Sequence, residues 1–324
     1  MGIRSLNNSL QEFLDTFLRS GTDAAGAAPV APPTVSASGG DLSADNTPDG
    51  DTFHVFYNPG TFTVTAGGDV DILLVGGGAS GRGGHGFGGA GGQVIFFPNV
   101  PVTSGPYPIA IGQGGAASPG TDINFGGNST AFGYTSYGGG NDPAMPTYSP
   151  APLIGGWGPG PEYGPLNSAP GGPSPNAGLG AGGEGANPNR SWRPGGNGRQ
   201  VPAPFLPTNA PANLISALGS TPTSYPGWRY FGGGGGGAGG NGYENSQGGD
   251  GGLGGGGGGG TGPGGAGGTP GYGYPFTPGG PLGDAGQDRR GGGGGGGGIG
   301  ACGTTYCPAK KGGQGVCIIR YPSA

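Results

Sequence analysis

The chain has 324 residues, of which 92 are Gly and 35 are Pro, while charged residues make up 9% and the net charge is -5. Average globular usage is about 7% Gly and about 25% charged residues, so an ordinary apolar core is excluded as the main source of order. Collagen is excluded too, because no Gly-X-Y period runs through the chain, and an acidic pI near 4.8 with only Lys310 and Lys311 as lysines excludes the positive footprint of a nucleic-acid binder.

Residues 1–22 predict one short N-terminal amphipathic α-helix. Leu6, Leu10, Phe13, Leu14, Phe17 and Leu18 recur at helical spacing, with Ser5 as N-cap and Gly21 past the end. A helix this short is marginal in water, so its apolar stripe needs a partner: further copies of itself or another protein. No apolar h-region marks a signal peptide, Leu6 stands where a myristoylation signal needs Ser or Thr, and no apolar run approaches the roughly 18 residues of a membrane span. The expectation is a soluble protein without membrane insertion.

Residues 23–50 read as an Ala/Pro/Ser/Gly linker, partly in extended polyproline conformation. Asp45, Asp49, Gly50 and Asp51 resemble a calcium loop, but Thr47 and Phe56 occupy positions where an EF-hand needs Asp or Asn and Glu. The simpler reading is a turn before a strand at Phe53 to Tyr57.

A glycine-rich β/polyglycine domain is expected over residues 51–324. Phe62 and Val64 alternate with threonines, and Val70, Ile72 and Leu74 follow in period two, the pattern of half-buried strands. Further strands are expected at Gln93 to Phe97, Tyr107 to Ile111, Ser129 to Phe132 and Val316 to Arg320. Gly76, Gly78 and Gly81 satisfy G-x-G-x-x-G after a strand, but a dinucleotide site also needs a following helix and an acid about 20 residues on. The glycines that follow and the acid-free stretch ending at Val100 supply neither, and no cofactor is expected.

Residues 141–230 form a Pro- and aromatic-rich insertion containing Trp157, Tyr163, Trp192, Tyr225, Trp228 and Tyr230. These rings either cover the ends of the glycine-rich structure or contact a receptor, since Trp and Tyr are enriched at recognition sites. Three glycine tracts follow, Gly232 to Gly237, Gly254 to Gly260 and Gly291 to Gly298. Ordering glycine sacrifices much backbone entropy, and with no side chains to bury, only paired N–H and C=O groups can compensate. A threefold helix of the polyproline II type points these groups outward. The fold class expected is therefore mainly β with a polyglycine II helix bundle, interrupted by Ala238, Leu253, Ala266 and Ile299 at its surface or against the strands.

Cys302 and Cys307, separated by four residues, lie near Cys317 in an expected strand; zinc normally takes four N or S ligands at tighter spacing, and His54 and His85 are remote. Idle thiols or a local Cys302–Cys307 disulfide are the alternatives, and no metal is expected. With two histidines and few acids, no catalytic residues can be defended, and the chain reads as a non-enzyme.

The succession Val70-Asp71-Ile72-Leu73-Leu74-Val75-Gly76-Gly77-Gly78, then Gly88 to Val94, Tyr107 to Gly115 and Gly126 to Phe132, closing on Gly312 to Tyr321, resembles the glycine-rich domain of bacteriophage tail-fibre and adhesin proteins. The likeness covers roughly residues 60–321; residues 141–230 and 1–50 fall outside it. It implies a β-scaffold with stacked polyglycine helices, whose connecting loops form a tip that reads host surfaces. The function expected is a phage virion structural protein at the virion surface or in an appendage, contacting a bacterial cell-surface receptor and joined to other virion proteins through the N-terminal helix, as a homo-oligomer with a trimer favoured. The alternative is a capsid decoration or head-fibre protein with a purely structural role.

Overall fold

In a computed structural model the described residues are 34–44, 47, 50–83, 86–118, 122–140, 194–201, 214, 230–238, 248–260, 283–298 and 307–323. The expected helix with Leu6, Leu10, Phe13, Leu14, Phe17 and Leu18 lies outside them. The described residues are mainly β, in two five-stranded antiparallel sheets and one short hairpin, with almost no helix.

The first sheet runs in the order β1 (Ser36–Ser38), β4 (Gly60–Ala66), β7 (Gly105–Ala110), β8 (Ser129–Ala131) and β9 (Tyr134–Ser136). The second runs β2 (Leu42–Ala44), β3 (Asp51–Phe56), β12 (Val316–Pro322), β5 (Gly68–Val75) and β6 (Val94–Val102). In the first sheet, Phe62 and Val64 turn inward while Thr61, Thr63 and Thr65 face solvent, which is the alternation of a sheet wetted on one side. The second sheet is buried on both faces. Ile72, Leu74, Ile95, Phe97, Cys317 and Ile319 meet Phe62 and Val64 in one core, and their neighbours Leu73, Val75, Val94, Phe96, Val316 and Ile318 join Phe53, Val55, Leu214 and Phe231 in another. Such strands read as near-continuous apolar runs, as β6 and β12 do. A short hairpin of β10 (Arg199–Gln200) and β11 (Tyr230–Phe231) supplies Phe231 to the second core.

The linker expectation for residues 23–50 is corrected over 36–44, where β1 and β2 form an edge strand of each sheet. Gly39 and Gly40, with φ of 115° and 100°, carry the chain from one sheet to the other. Small Ser and Ala side chains gave no periodic signal there, and backbone pairing with β4 and β3 sets the structure instead.

From the ends of β5, β6, β11 and β12, glycine-rich segments extend away from the sheets and exchange backbone hydrogen bonds with a repeat of three residues. Gly76, Ala79 and Arg82 donate to Gln93, Ala90 and Phe87; Gly77 and Ser80 donate to Gly127 and Asn124; Gly78 and Gly81 donate to Gly313 and Lys310. The segment 291–298 lies at the centre. Its amides reach Gly233 and Gly236, Ala79 and Arg82, and Asp284, while its carbonyls accept from Gly89 and Gly92, from Gly257 and Gly260, and from Cys307, Lys310 and Gly313. Six segments therefore surround one; five bond to it at positions three residues apart, and the sixth does so through Asp284.

Close approach of backbones makes glycine obligatory at the centre: a Cβ on Gly293 would stand 1.9 Å from the Gly89 carbonyl oxygen. Gly232 and Gly291 begin their tracts with φ of 71° and 68°, turning the chain out of the sheet region and into the array. Ala238 and Leu253 are both buried; Ala266 and Ile299 lie outside the described residues.

Candidate functional site

The hydrogen-bond ladder gives the glycine array two distinguishable ends. Near the sheets, Gly76 pairs with Gln93 and Gly291 with Gln314; at the opposite end, Arg82 pairs with Phe87 and Gly297, Gly86 with Ala238, Gly260 with Gly296, Cys307 with Gly298, and Ala309 with Ser118. Residues 119–121, 239–247, 261–282 and 299–306 all depart from and return to described residues at this outer end. Segment 137–140 also runs outward, from the level of Gln93 to that of Ala79 and Ala90, and the chain returns inward at Gly195, whose amide donates to Asp250.

The six candidate receptor aromatics are divided by this topology. Trp157, Tyr163 and Trp192 fall within residues 141–193, between the outward Gly140 and the inward Gly195, and are outside the described residues. Tyr225 and Trp228 are also outside them. Tyr230 is described: it is half-buried in β11, opposite Gln200.

The G-x-G-x-x-G segment enters no helix. The amides of residues 76–81 all donate to backbone carbonyls, so none is left pointing at a pyrophosphate in the way a dinucleotide loop requires. The acidic turn closes through Gly50 N–H to Thr47 O and Asp51 N–H to Thr47 Oγ1, with Gly50 at φ 78°; Asp45 and Asp49 lie outside the described residues. Asp51 faces Arg320, whose Nε is 2.9 Å from it and whose Nη1 is 2.6 Å from Asp71. This ion triad joins β3, β12 and β5. Cys307 is fully buried and disulfide-bonded, Cys317 is a free thiol in the core, and Cys302 lies outside the described residues. Burial pushes the Cys317 thiol far above its ordinary range.

Buried polar side chains fasten the array to the sheets. Ser129 Oγ donates to Val75 O and accepts from Gly112 N–H, and Ser136 Oγ donates to Gln93 O. His54 Nδ1 donates to Gly39 O at 2.7 Å, a partner that can only accept, and Nε2 lies 2.9 Å from Tyr321 Oη in a second hydrogen bond. At the base, Arg289 lies over the Tyr57 ring at 4.0 Å. Partial burial alone would raise the carboxyl pKa of nearby Asp41, but hydrogen bonds from Asn58 and Tyr57, together with the Arg289 charge, outweigh it and hold Asp41 below the ordinary range. Asp284 moves the other way: burial raises it, opposed by Lys310, and its Oδ2 has no hydrogen-bond partner.

One concave feature was not singled out from sequence. Tyr107, Pro108, Thr130, Ala131, Phe132, Gly133, Tyr134 and Thr135 line an open cavity of about 390 Å³ beside β7, β8 and β9. The signal that could have found it is the Phe132-Gly133 dipeptide between two short runs, a two-residue hairpin loop.

The family described as a glycine-rich domain matches residues 57–322 of this chain, and no curated protein matches it. The match spans most of the chain, which belongs to the glycine-rich domain family.

Proposed function

We propose that this member of the glycine-rich domain family is a phage virion structural protein, a tail-fibre or adhesin component that contacts the bacterial surface. The observation that carries the reading is that the chain leaves and re-enters the glycine array at its outer end around residues 119–121, 239–247, 261–282 and 299–306, and leaves it at Gly140 and re-enters at Gly195 around residues 141–193, which hold Trp157, Tyr163 and Trp192. A rigid array that holds several segments at one end is suited to recognition, because loops on a fixed support lose less entropy on binding. In this reading the segments bonded at every third residue are polyglycine II helices in hexagonal packing; the three-residue repeat and the six partners of segment 291–298 support it. The stripe of Leu6, Leu10, Phe13, Leu14, Phe17 and Leu18 attaches the protein to other virion proteins or assembles it as a homotrimer.

The test uses the purified full chain and a panel of bacterial cells. Binding to cells of one strain, competition with infection of that strain, and loss of both when residues 144–190 are replaced by a short Gly-Ser segment are the results expected. Absence of cell binding, together with many copies per capsid in purified particles, would overturn the adhesin reading in favour of a structural capsid component. Deletion of residues 1–20 should lower the mass in solution to that of the monomer; an unchanged oligomer removes the helix from assembly.

A further inference from the structure

We infer that Arg82, with the Phe87 ring beside it, is an oxyanion-binding point at the outer end of the glycine array. The assignment deepens the receptor reading and rests on it for one thing, that the ligand is an acidic glycan of a cell surface. Segments 76–82 and 87–93 run antiparallel, with Gly76, Ala79 and Arg82 bonded to Gln93, Ala90 and Phe87. Arg82 N–H donates to Phe87 O at 2.9 Å, and Arg82 O accepts from Gly297 N–H at 3.0 Å. The backbone of Arg82 is thereby held both by its own return segment and by the central tract. A Cβ on Gly86 would fall on the Arg82 carbonyl, so the two segments close up only with glycine there. The guanidinium carbon lies 5.9 Å from the centre of the Phe87 ring, and both residues are half-buried.

Charge matching sets Arg82 apart. Arg320 meets Asp51 and Asp71, Lys311 meets Asp288, and Arg289 and Lys310 lie close enough to Asp41 and Asp284 to act on their carboxyls. Among the described residues no carboxylate forms an ion pair with Arg82, and its Nε is buried without a hydrogen-bond partner. Buried donors on charged groups are ordinarily paired, because leaving one unmade is costly. A bound anion supplies the missing acceptor. The planar guanidinium fork fits a carboxylate or a phosphate through two parallel bonds, and the neighbouring ring offers an apolar face to the body of the sugar that carries the acid. The net charge of -5 opposes anions at long range, but at physiological salt charges farther than about 8 Å are screened, so the local cation decides.

Arginine Nε–Hε NMR of the isotope-labelled full chain, titrated with methyl glucuronoside, glycerol phosphate and methyl glucoside at millimolar concentration, tests it. The Arg82 resonance should move with at least one of the two anions and stay still with the neutral glucoside; which anion moves it distinguishes a uronic acid from a phosphate-bearing glycan. Added sodium chloride should weaken that binding. Arg82→Gln should weaken the anion about tenfold or more. Arg82→Lys keeps the charge but loses the fork, and should also weaken it, with the melting temperature retained; this variant decides the matter if Arg82→Gln disturbs the fold. No response to either anion, an equal response to the neutral glucoside, or affinity undiminished in both variants would overturn the assignment. The panel of bacterial cells separates the two readings: cells bound but neither anion bound removes the Arg82 assignment alone, whereas an anion held through Arg82 with no cells bound removes the receptor reading alone.

Discussion

Replacing Gly293 by Ala tests whether the glycine array holds the domain together. The new Cβ would stand 1.9 Å from Gly89 O, 2.6 Å from the Gly89 carbonyl carbon and 3.0 Å from that of Ala90. All three are backbone atoms that no rotamer change can move. Relief to an ordinary contact requires the two segments to part by about 1.5 Å. The bonds from Gly89 N–H to Gly294 O and from Gly92 N–H to Gly291 O, both 2.7 Å, then pass the limit of a useful hydrogen bond. Two buried pairs left unmade lose about 2–6 kcal/mol together, while the smaller unfolded-state entropy of Ala returns only about 0.4–1 kcal/mol. Urea unfolding followed by tyrosine and tryptophan fluorescence should therefore show a net loss of roughly 2–5 kcal/mol. Gly60→Ala is the control, since a Cβ there meets only the Phe56 ring at 3.3 Å and Asn58 O at 4.0 Å; its effect should stay within about 1 kcal/mol. A Gly293→Ala protein as stable as the Gly60→Ala one would refute the idea that the array is rigid and close-packed.

Arg320→Met should destabilise by about 1–3 kcal/mol in the same assay, because it strands Asp51 and Asp71, whose side chains are only 10% and 15% exposed, near each other. Asp284→Asn should raise the melting temperature at pH 7. The folded-state pKa of Asp284 is raised, so its ionised form opposes folding above that pKa, and the advantage of Asn should vanish as the pH falls below the ordinary carboxylate range. Alkylation with iodoacetamide at pH 8 should leave Cys317 unmodified in the native chain and modify it after unfolding, as expected for a core thiol that burial keeps protonated.

Sequence patterning reveals the strands that bury side chains. Phe62 and Val64, and Val70, Ile72 and Leu74, alternate because one set of positions faces the core between the sheets; Val94 to Phe97 and Val316 to Ile319 do not alternate because both faces are covered. Ser36 to Ser38 and Leu42 to Ala44 escape notice because their place is fixed by main-chain pairing at sheet edges. The same blindness applies to the glycine tracts. Eight consecutive glycines carry no periodic signal, yet the amides of Gly293, Gly294 and Gly295 address three different neighbours, and those of Gly296 and Gly297 return to the first two. The Trp and Tyr of residues 141–230 stand out in the sequence because their side chains announce themselves, but of the six candidates only Tyr230 falls among the described residues. Phe132 was read as the end of a strand, and its role at the rim of a cavity depends on a turn that brings Tyr107 and Tyr134 beside it.

Strand β12 sits between β3 and β5, in the middle of the second sheet. Its four partners in that sheet all precede residue 103, whereas β12 is translated only after the whole glycine array. During synthesis, β3 and β5 must wait with unsatisfied edges until their common neighbour emerges from the ribosome, so this sheet assembles late and by long-range closure, a slow and aggregation-exposed route. The glycine tracts made in the meantime offer a nascent chain little apolar surface by which to stick.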